Sequence, residues 1–321
     1  MDRVANLPQH LRILNHTLGT QRQILDLQLQ IATGKVARDY AGIADQAERV
    51  VSLESAHARA AQHTENNALV GRRLQAMETN IGQIFDAVSA FRTHLLSALN
   101  ADNGTVSAVT NEAAALKQQV ASLLNVQQDG RYLFAGSRID AQPVDLSGLT
   151  PTTIPVTPPL TSIETEYYRG DQVTLSVEAD QGLSVSYGLT ADEPAFEHVL
   201  RAAHYVEQAG NPPDRATLET ALALINTALG TAPADTSLGV GPIPLDLADL
   251  RSVIGTAQST LESTNRRLDE FMLFSEQSIG DIENVDVTTA ISKLTAQQTQ
   301  LEASYAVIAR LSQLNLAEYL R

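Results

Sequence analysis

Apolar residues recur at alternating steps of three and four from about Leu11 to Val126, and again from Val253 to Leu320. In the first stretch the clearest run is Val70, Leu74, Met77, Ile81, Ile84, Val88, Phe91 and Leu95. In the second it is Ile291, Leu294, Gln298, Leu301, Tyr305 and Ile308. On a helix this spacing gathers the apolar side chains into one narrow seam, the geometry of a coiled coil. Between the two stretches the pattern is lost. Two terminal helical arms around a central insert suit a chain that assembles end to end with copies of itself.

Proline marks the same division. Of the 12 prolines, all but Pro8 lie between Pro143 and Pro244. Proline inside a helix costs about 3 kcal/mol, so the arms exclude it and the insert does not. Within the first arm, a helix carrying Leu11, Leu14, Leu18 and Leu25 fades at Thr33-Gly34. Gly34 to Ile43 reads as a turn, and a second helix runs from Asp45 to Leu99. Asn103-Gly104 is expected to break it, and a third helix to end near Asp129-Gly130. Arg131 to Ala135, Gln172 to Glu178 and Leu183 to Leu189 read as strands of a small antiparallel sheet. Two further helices, starting at Asp192 and at Asp214, precede a loop rich in Pro and Gly. A long helix follows from Asp246 to Ile279, then a polar break from Gly280 to Asp286 and a final helix.

The expected fold is therefore mainly α with a small β-containing insert. A long antiparallel helical rod or coiled coil, built from both termini, would carry a central α+β domain. The expected segments are 1–44, an assembly helix and turn; 45–130, the N-terminal part of the rod; 131–245, the central insert; 246–280, the C-terminal part of the rod; and 281–321, a second assembly helix.

Composition narrows the function. Aromatic residues make up 4% of the chain with no Trp, which leaves few side chains for an aromatic-lined ligand pocket. The net charge is −15, and no basic patch stands out, which argues against nucleic acid and anionic membrane surfaces as partners. There is no Cys, hence no disulfide and no thiol nucleophile. No run reaches ~18 apolar residues, and the N-terminal stretch lacks the apolar core of a cleaved signal, so no membrane insertion is expected.

Candidate chemistry yields to simpler readings. None of the seven His pairs with another at helical ligand spacing, so packed or solvated histidines outrank metal ligands. Glu164 and Glu166 form one acidic pair; Asp281, Glu283 and Asp286 form another group. The latter sits at a helix break, where carboxylates cap the following helix, and it lacks the spacing of a calcium loop. Gly239-Val-Gly-Pro lacks the Lys-Ser/Thr of a phosphate loop. No catalytic, cofactor-binding or metal constellation is found, and no cofactor is expected.

The seams remain. An intramolecular bundle would use them all as its own core. The segments nearest the termini, each about 30 residues and set off by a break, point instead to contacts between copies. The residues expected at that interface are Leu11, Leu14, Leu18, Leu25, Ile291, Leu294, Leu301, Tyr305, Ile308, Leu311, Leu316, Tyr319 and Leu320.

Several motifs resemble one family. Gln28 to Lys35, with Gly34 and Lys35 at its end, resembles the turn after the first helix of bacterial flagellins and hook-associated proteins. Ala41-Gly-Ile-Ala44 is similar to the sequence that follows that turn. Gly130-Arg-Tyr132-Leu133-Phe134-Ala-Gly136 resembles a Gly-x-Tyr-Leu-Phe-x-Gly stretch of the hook–filament junction members, and the ending through Tyr319-Leu320 resembles theirs too. The likeness covers both arms; in the centre only Tyr168-Arg-Gly-Asp171 matches. Asp39-Tyr-Ala-Gly-Ile stands where the family carries an Asp-Asp-Pro-type sequence, so a filament-forming flagellin stands as an alternative. A coiled-coil partner-binding protein is a more distant one.

The resemblance implies an axial protein of the bacterial flagellum that joins hook to filament. It would be extracellular, exported by the flagellar type III apparatus without a cleaved signal. Its implied partners are copies of itself, an adjacent hook-associated protein, flagellin and an export chaperone.

Overall fold

The computed structural model describes residues 3–100, 103–150, 163–232 and 234–319. Besides two single-turn 3-10 helices at Tyr40–Ile43 and Leu146–Gly148, seven α-helices and two short hairpins are seen among them. In chain order these are α1 (Arg3–Thr33), α2 (Ala44–Leu99), α3 (Asn103–Leu124), β1 (Gln127–Gln128), β2 (Arg131–Tyr132), β3 (Ser176–Asp180), β4 (Leu183–Ser186), α4 (Pro194–Gln208), α5 (Arg215–Ala228), α6 (Leu247–Glu283) and α7 (Val287–Tyr319). Both hairpins are antiparallel, β1 with β2 and β3 with β4. The fold is mainly α with a small β-containing insert.

Three expected boundaries move. Gly280 does not break its helix: α6 continues to Glu283, and the break is Asn284 to Asp286. Asn103-Gly104 opens α3 rather than separating two helices, because the first turn of a helix tolerates poor helix formers. The strand expected over Arg131 to Ala135 is confined to Arg131–Tyr132; beyond it Leu133, Phe134 and Ala135 turn inward and are buried.

The chain forms two compact units, Met1–Arg59 with Glu270–Arg321, and Ala60–Asp269. In the second unit the seam of α2 is the core. Val70, Leu74, Met77, Ile81, Ile84, Val88, Phe91 and Leu95 are all buried, facing Leu250, Ile254, Ala257 and Leu261 of α6 and the apolar faces of α3 to α5. α2 and α6 run antiparallel: Gln258 Nε2 donates to Glu78 Oε2 (3.2 Å), and Asn67 Nδ2 donates to Asn265 Oδ1 (2.8 Å). Asn67 also donates to the Ala179 carbonyl (2.8 Å), which fastens the β3–β4 hairpin to α2. A buried amide with few alternative partners fixes register at a cost in stability.

α4 is buried from Ala195 to Val206 on every side, including Glu197, His198, Arg201 and His204. Glu197 meets its charge with Arg201 one turn on (Nε to Oε1, 2.6 Å), and its second oxygen lies at hydrogen-bond distance from His198 Nδ1 (2.9 Å). Such groups enter a core only when paired in this way. The Tyr167 hydroxyl donates to the Ala191 carbonyl (2.9 Å); burial, and then the Glu197 carboxylate, push its pKa well above the ordinary value. This is a packed polar core and not an open site.

The Gly130–Gly136 motif belongs to the same core. Phe134 stands edge-on to Phe196, with ring centroids 6.1 Å apart. Gly136 has φ +67°, and a Cβ there would lie 2.2 Å from Asp171 Oδ1. Asp171 in turn accepts from the Ser137 backbone N–H (2.8 Å) and from its hydroxyl. The two central motifs singled out in the sequence therefore touch each other, and their residue types follow from that contact.

Candidate assembly surface

In the first unit α1 and α7 pack antiparallel. Gln21 Nε2 donates to the Tyr305 hydroxyl (2.6 Å), and Ile13 and His16 of α1 line one groove with Ser304 and Val307 of α7. The face of α1 turned to its partner is Ile13, Thr17, Thr20, Ile24, Leu27 and Ile31. The face of α7 turned back is Ala290, Leu294, Gln297, Leu301, Ser304 and Ile308. Both sets alternate strictly in steps of four and three, so this is a true two-helix seam.

The seam is thin. Thr17 and Thr20 are buried in it because each hydroxyl donates back to its own helix, Thr17 to the Ile13 carbonyl (2.8 Å) and Thr20 to the His16 carbonyl (3.1 Å). Ser304 does the same to Gln300 (2.8 Å). Polar residues satisfied in this way read as surface positions in a sequence. That is why the inward face of α1 is not the leucine stripe.

The leucines lie outside. Leu11, Leu14, Leu18 and Leu25 are 53%, 44%, 43% and 64% exposed. On α7, Ile291 and Tyr305 are one step off the seam and also exposed, whereas Leu294, Leu301 and Ile308 are half-buried against α1. The thirteen residues expected at an interface thus divide: six are exposed, Tyr305 among them with its hydroxyl bonded to Gln21, and three help hold α1 to α7. The side chains of Leu311, Leu316 and Tyr319, and the whole of Leu320, lie outside the described residues.

The contrast between the units is large. Among the described residues, the buried apolar side chains of the first unit are Ile24, Val50 and Ala290, while the second unit buries dozens. Of the large apolar residues left exposed, nearly all belong to the first unit; Ile163, Val173 and Val253 are the exceptions. Scattered exposed leucines are ordinary; what sets this unit apart is that four of them share one side of a single helix.

Both helices are set by the turns between 34–43 and 284–286. Gly34 ends α1 at φ +72°, its N–H donating to the Gln30 carbonyl (2.8 Å), a left-handed cap that suits glycine. The two turns then bridge each other. Val36 N–H donates to the Glu283 carbonyl (2.7 Å) and Val285 N–H to the Gly34 carbonyl (2.9 Å), with Lys35 ion-paired to Glu283. Asp39 caps the short turn at Tyr40–Ile43, and Asp286 caps α7 by accepting from Thr288 and Thr289 N–H (2.9 and 3.1 Å). These hydrogen bonds, with that to the Thr289 hydroxyl first among them, lower the Asp286 pKa. Gly34 and Lys35 of the sequence motif are thus explained by the bridge.

Among the described residues no group of His, Asp or Glu could hold a metal ion, and no helix is long and apolar enough to cross a membrane.

Comparison with known proteins finds matches at both ends of the chain. Residues 6–138 match the family model of the bacterial flagellin N-terminal helical region, and residues 243–320 that of the C-terminal helical region. The chain is 24% identical over 306 residues to flagellar hook-associated protein 3 of Escherichia coli, covering 89% of this chain and 90% of that protein. It is 22% identical over 306 residues to flagellar hook-associated protein 3 of Salmonella typhimurium, with the same coverage of 89% and 90%. Among solved structures, a flagellar hook-associated protein from Vibrio parahaemolyticus superposes with a TM-score of 0.55 at 16% identity, over 73% of this chain and 96% of that one.

Proposed function

Because this chain belongs to the bacterial flagellin family, we propose that it is a structural axial component of the flagellum, joining hook to filament through its terminal helices. The observation that carries this reading is the exposed leucine stripe of α1 beside a seam already closed by α7. A chain that had finished burying its apolar surface would hold those leucines inside. The role is one of assembly and not of catalysis.

Mechanism follows from the packing. The second unit buries its own core and is complete as a monomer. The α1/α7 pair is held by a seam whose positions are mostly half-buried, and it gains further burial when neighbours cover Leu11, Leu14, Leu18 and Leu25. Most helical stability in proteins comes from tertiary packing of the apolar face, so ordering and docking of these helices are coupled. Head-to-tail contacts that do not close build a helical tube. A junction position gives the subunit unlike neighbours, a hook-associated protein on one side and flagellin on the other, besides copies of itself. Export through the flagellar type III apparatus with a chaperone, to an extracellular site at the growing tip, completes this reading.

Deletion of the gene tests it. Hooks are expected to remain while filaments detach and flagellin accumulates in the medium. Attached, normal filaments in that strain would overturn the junction role. A filament-forming flagellin, favoured by the family match alone, would instead dominate sheared filaments by mass.

A further inference from the structure

On α6 the usual order of inside and outside is reversed within the first unit. Ser275 is fully buried on the inward side of the helix, while its neighbours Leu273 and Phe274 are 57% and 56% exposed. The outward stripe of this helix reads Glu270, Phe274, Gln277, Asp281, with Leu273 and Glu276 beside it. An aromatic and an aliphatic anchor thus stand in an acidic rim, with no basic residue on the helix between Glu270 and Glu283. Interfaces are commonly built this way, with large apolar anchors at the centre and charges at the edge.

The same unit carries a complementary feature elsewhere. In the turn between α1 and α2, Val36 and Tyr40 are exposed at 37% and 46%. Arg38 stands between them, also exposed. Lys35 is already paired with Glu283, and the Asp39 carboxylate accepts from the Gly42 N–H (3.2 Å). That leaves Arg38 as the cation this turn presents. The turn offers the Val36 side chain and the ring of Tyr40, whose hydroxyl donates to Glu54 Oε2 (2.8 Å), on either side of Arg38; the helix offers two apolar side chains among negative charges.

Resting on the assembly reading above, we propose that the Leu273–Phe274 face of α6 is an interface between copies that receives the Val36–Tyr40 turn of a second copy. Val36 and Tyr40 cover Leu273 and Phe274, and Arg38 faces Glu270 and Glu276. The contact is heterologous: each copy gives its turn to one neighbour and its α6 face to another, so it propagates from copy to copy. It is separate from the leucine stripe of α1.

The chain has no Cys, so engineered pairs report without background. Val36→Cys and Phe274→Cys in one chain, expressed in place of the wild type, are expected to give an oxidation-dependent ladder of multimers from isolated flagella. Either substitution alone is expected to give none. Dimers from Phe274→Cys alone would mean a symmetric contact, and a cross-link to a protein of different mass would mean another occupant; each overturns the proposal. Charge reversal supplies a second measurement. Arg38→Glu is expected to lower the amount of this protein in flagella about tenfold, the equivalent of ~1.4 kcal/mol, and Glu270→Lys with Glu276→Lys to restore it. Loss without restoration would overturn the pairing. Wild-type protein present in flagella with no ladder from the double-Cys chain defeats this contact alone. Wild-type protein absent from flagella defeats the assembly reading, and the contact with it.

Discussion

Replacing Leu14 and Leu18 together by Gln separates assembly from folding. Both are more than two-fifths exposed and point away from the α1/α7 seam. Gln keeps the helix, since its helix propensity is close to that of Leu. The monomer therefore changes by no more than ~0.5 kcal/mol, the ordinary range for surface positions. The assembled state loses more. The exposed fractions of these two residues, 44% and 43%, amount to nearly one whole leucine side chain waiting to be covered. Full burial of a leucine contributes ~1.5–3 kcal/mol, so each docking event weakens by about tenfold to a hundredfold. Two measurements check this: urea unfolding of the purified monomer, and quantification of the protein in sheared flagella. Ile24→Gln is the contrasting variant, because Ile24 is 8% exposed and sits inside the seam; it should destabilise the α1/α7 pair itself. If the double Leu variant unfolded as easily as the Ile24 variant, or assembled at the wild-type level, the assignment of the stripe to neighbouring subunits would be refuted.

Two further outcomes follow from the second unit. Gly136→Ala places a methyl group 2.2 Å from Asp171 Oδ1 at a φ of +67°. The left-handed backbone alone costs ~1–2 kcal/mol, and displacing Asp171 adds to it, so calorimetry should show a Tm at least ~2 °C lower; an unchanged Tm would contradict the close packing of the two motifs. His204 is buried on α4, and burial first, with Lys117 of α3 second, lowers its pKa below 6.5; Glu207, ion-paired with Lys117, opposes this. The folded state therefore favours the neutral ring. Its contribution to stability is complete above pH 6.5 and is lost as pH falls below that, because the unfolded chain takes up the proton first. Urea midpoints of wild type and His204→Leu, compared from pH 7.5 down to 5.5, should show the wild type losing more; parallel profiles would remove His204 from the pH response.

The sequence carries its strongest signal where one periodic seam meets one core. The run from Val70 to Leu95 announces a buried helix face, and every member is buried. Proline confined to the centre separates insert from arms for the same local reason, since a helix interior cannot hold it. The turn at Gly34 and the cap at Asp286 are equally local, each depending on a residue type and its immediate neighbours. What could not be seen is which stripe of α1 faces α7. Thr17 and Thr20 are chemically polar and structurally interior, because their hydroxyls return to their own helix. Likewise the buried charges of α4 look like a solvated face until Glu197, Arg201 and His198 are found together.

Periodicity therefore determined that both ends of this chain are seamed helices and that the centre is something else, since spacing along a helix is written residue by residue. Only the tertiary structure decided that Leu11, Leu14, Leu18 and Leu25 remain uncovered, and that Phe274 turns outward while Ser275 turns in. A sequence states how apolar a face is. Whether that face is covered depends on which other element of the chain arrives to cover it.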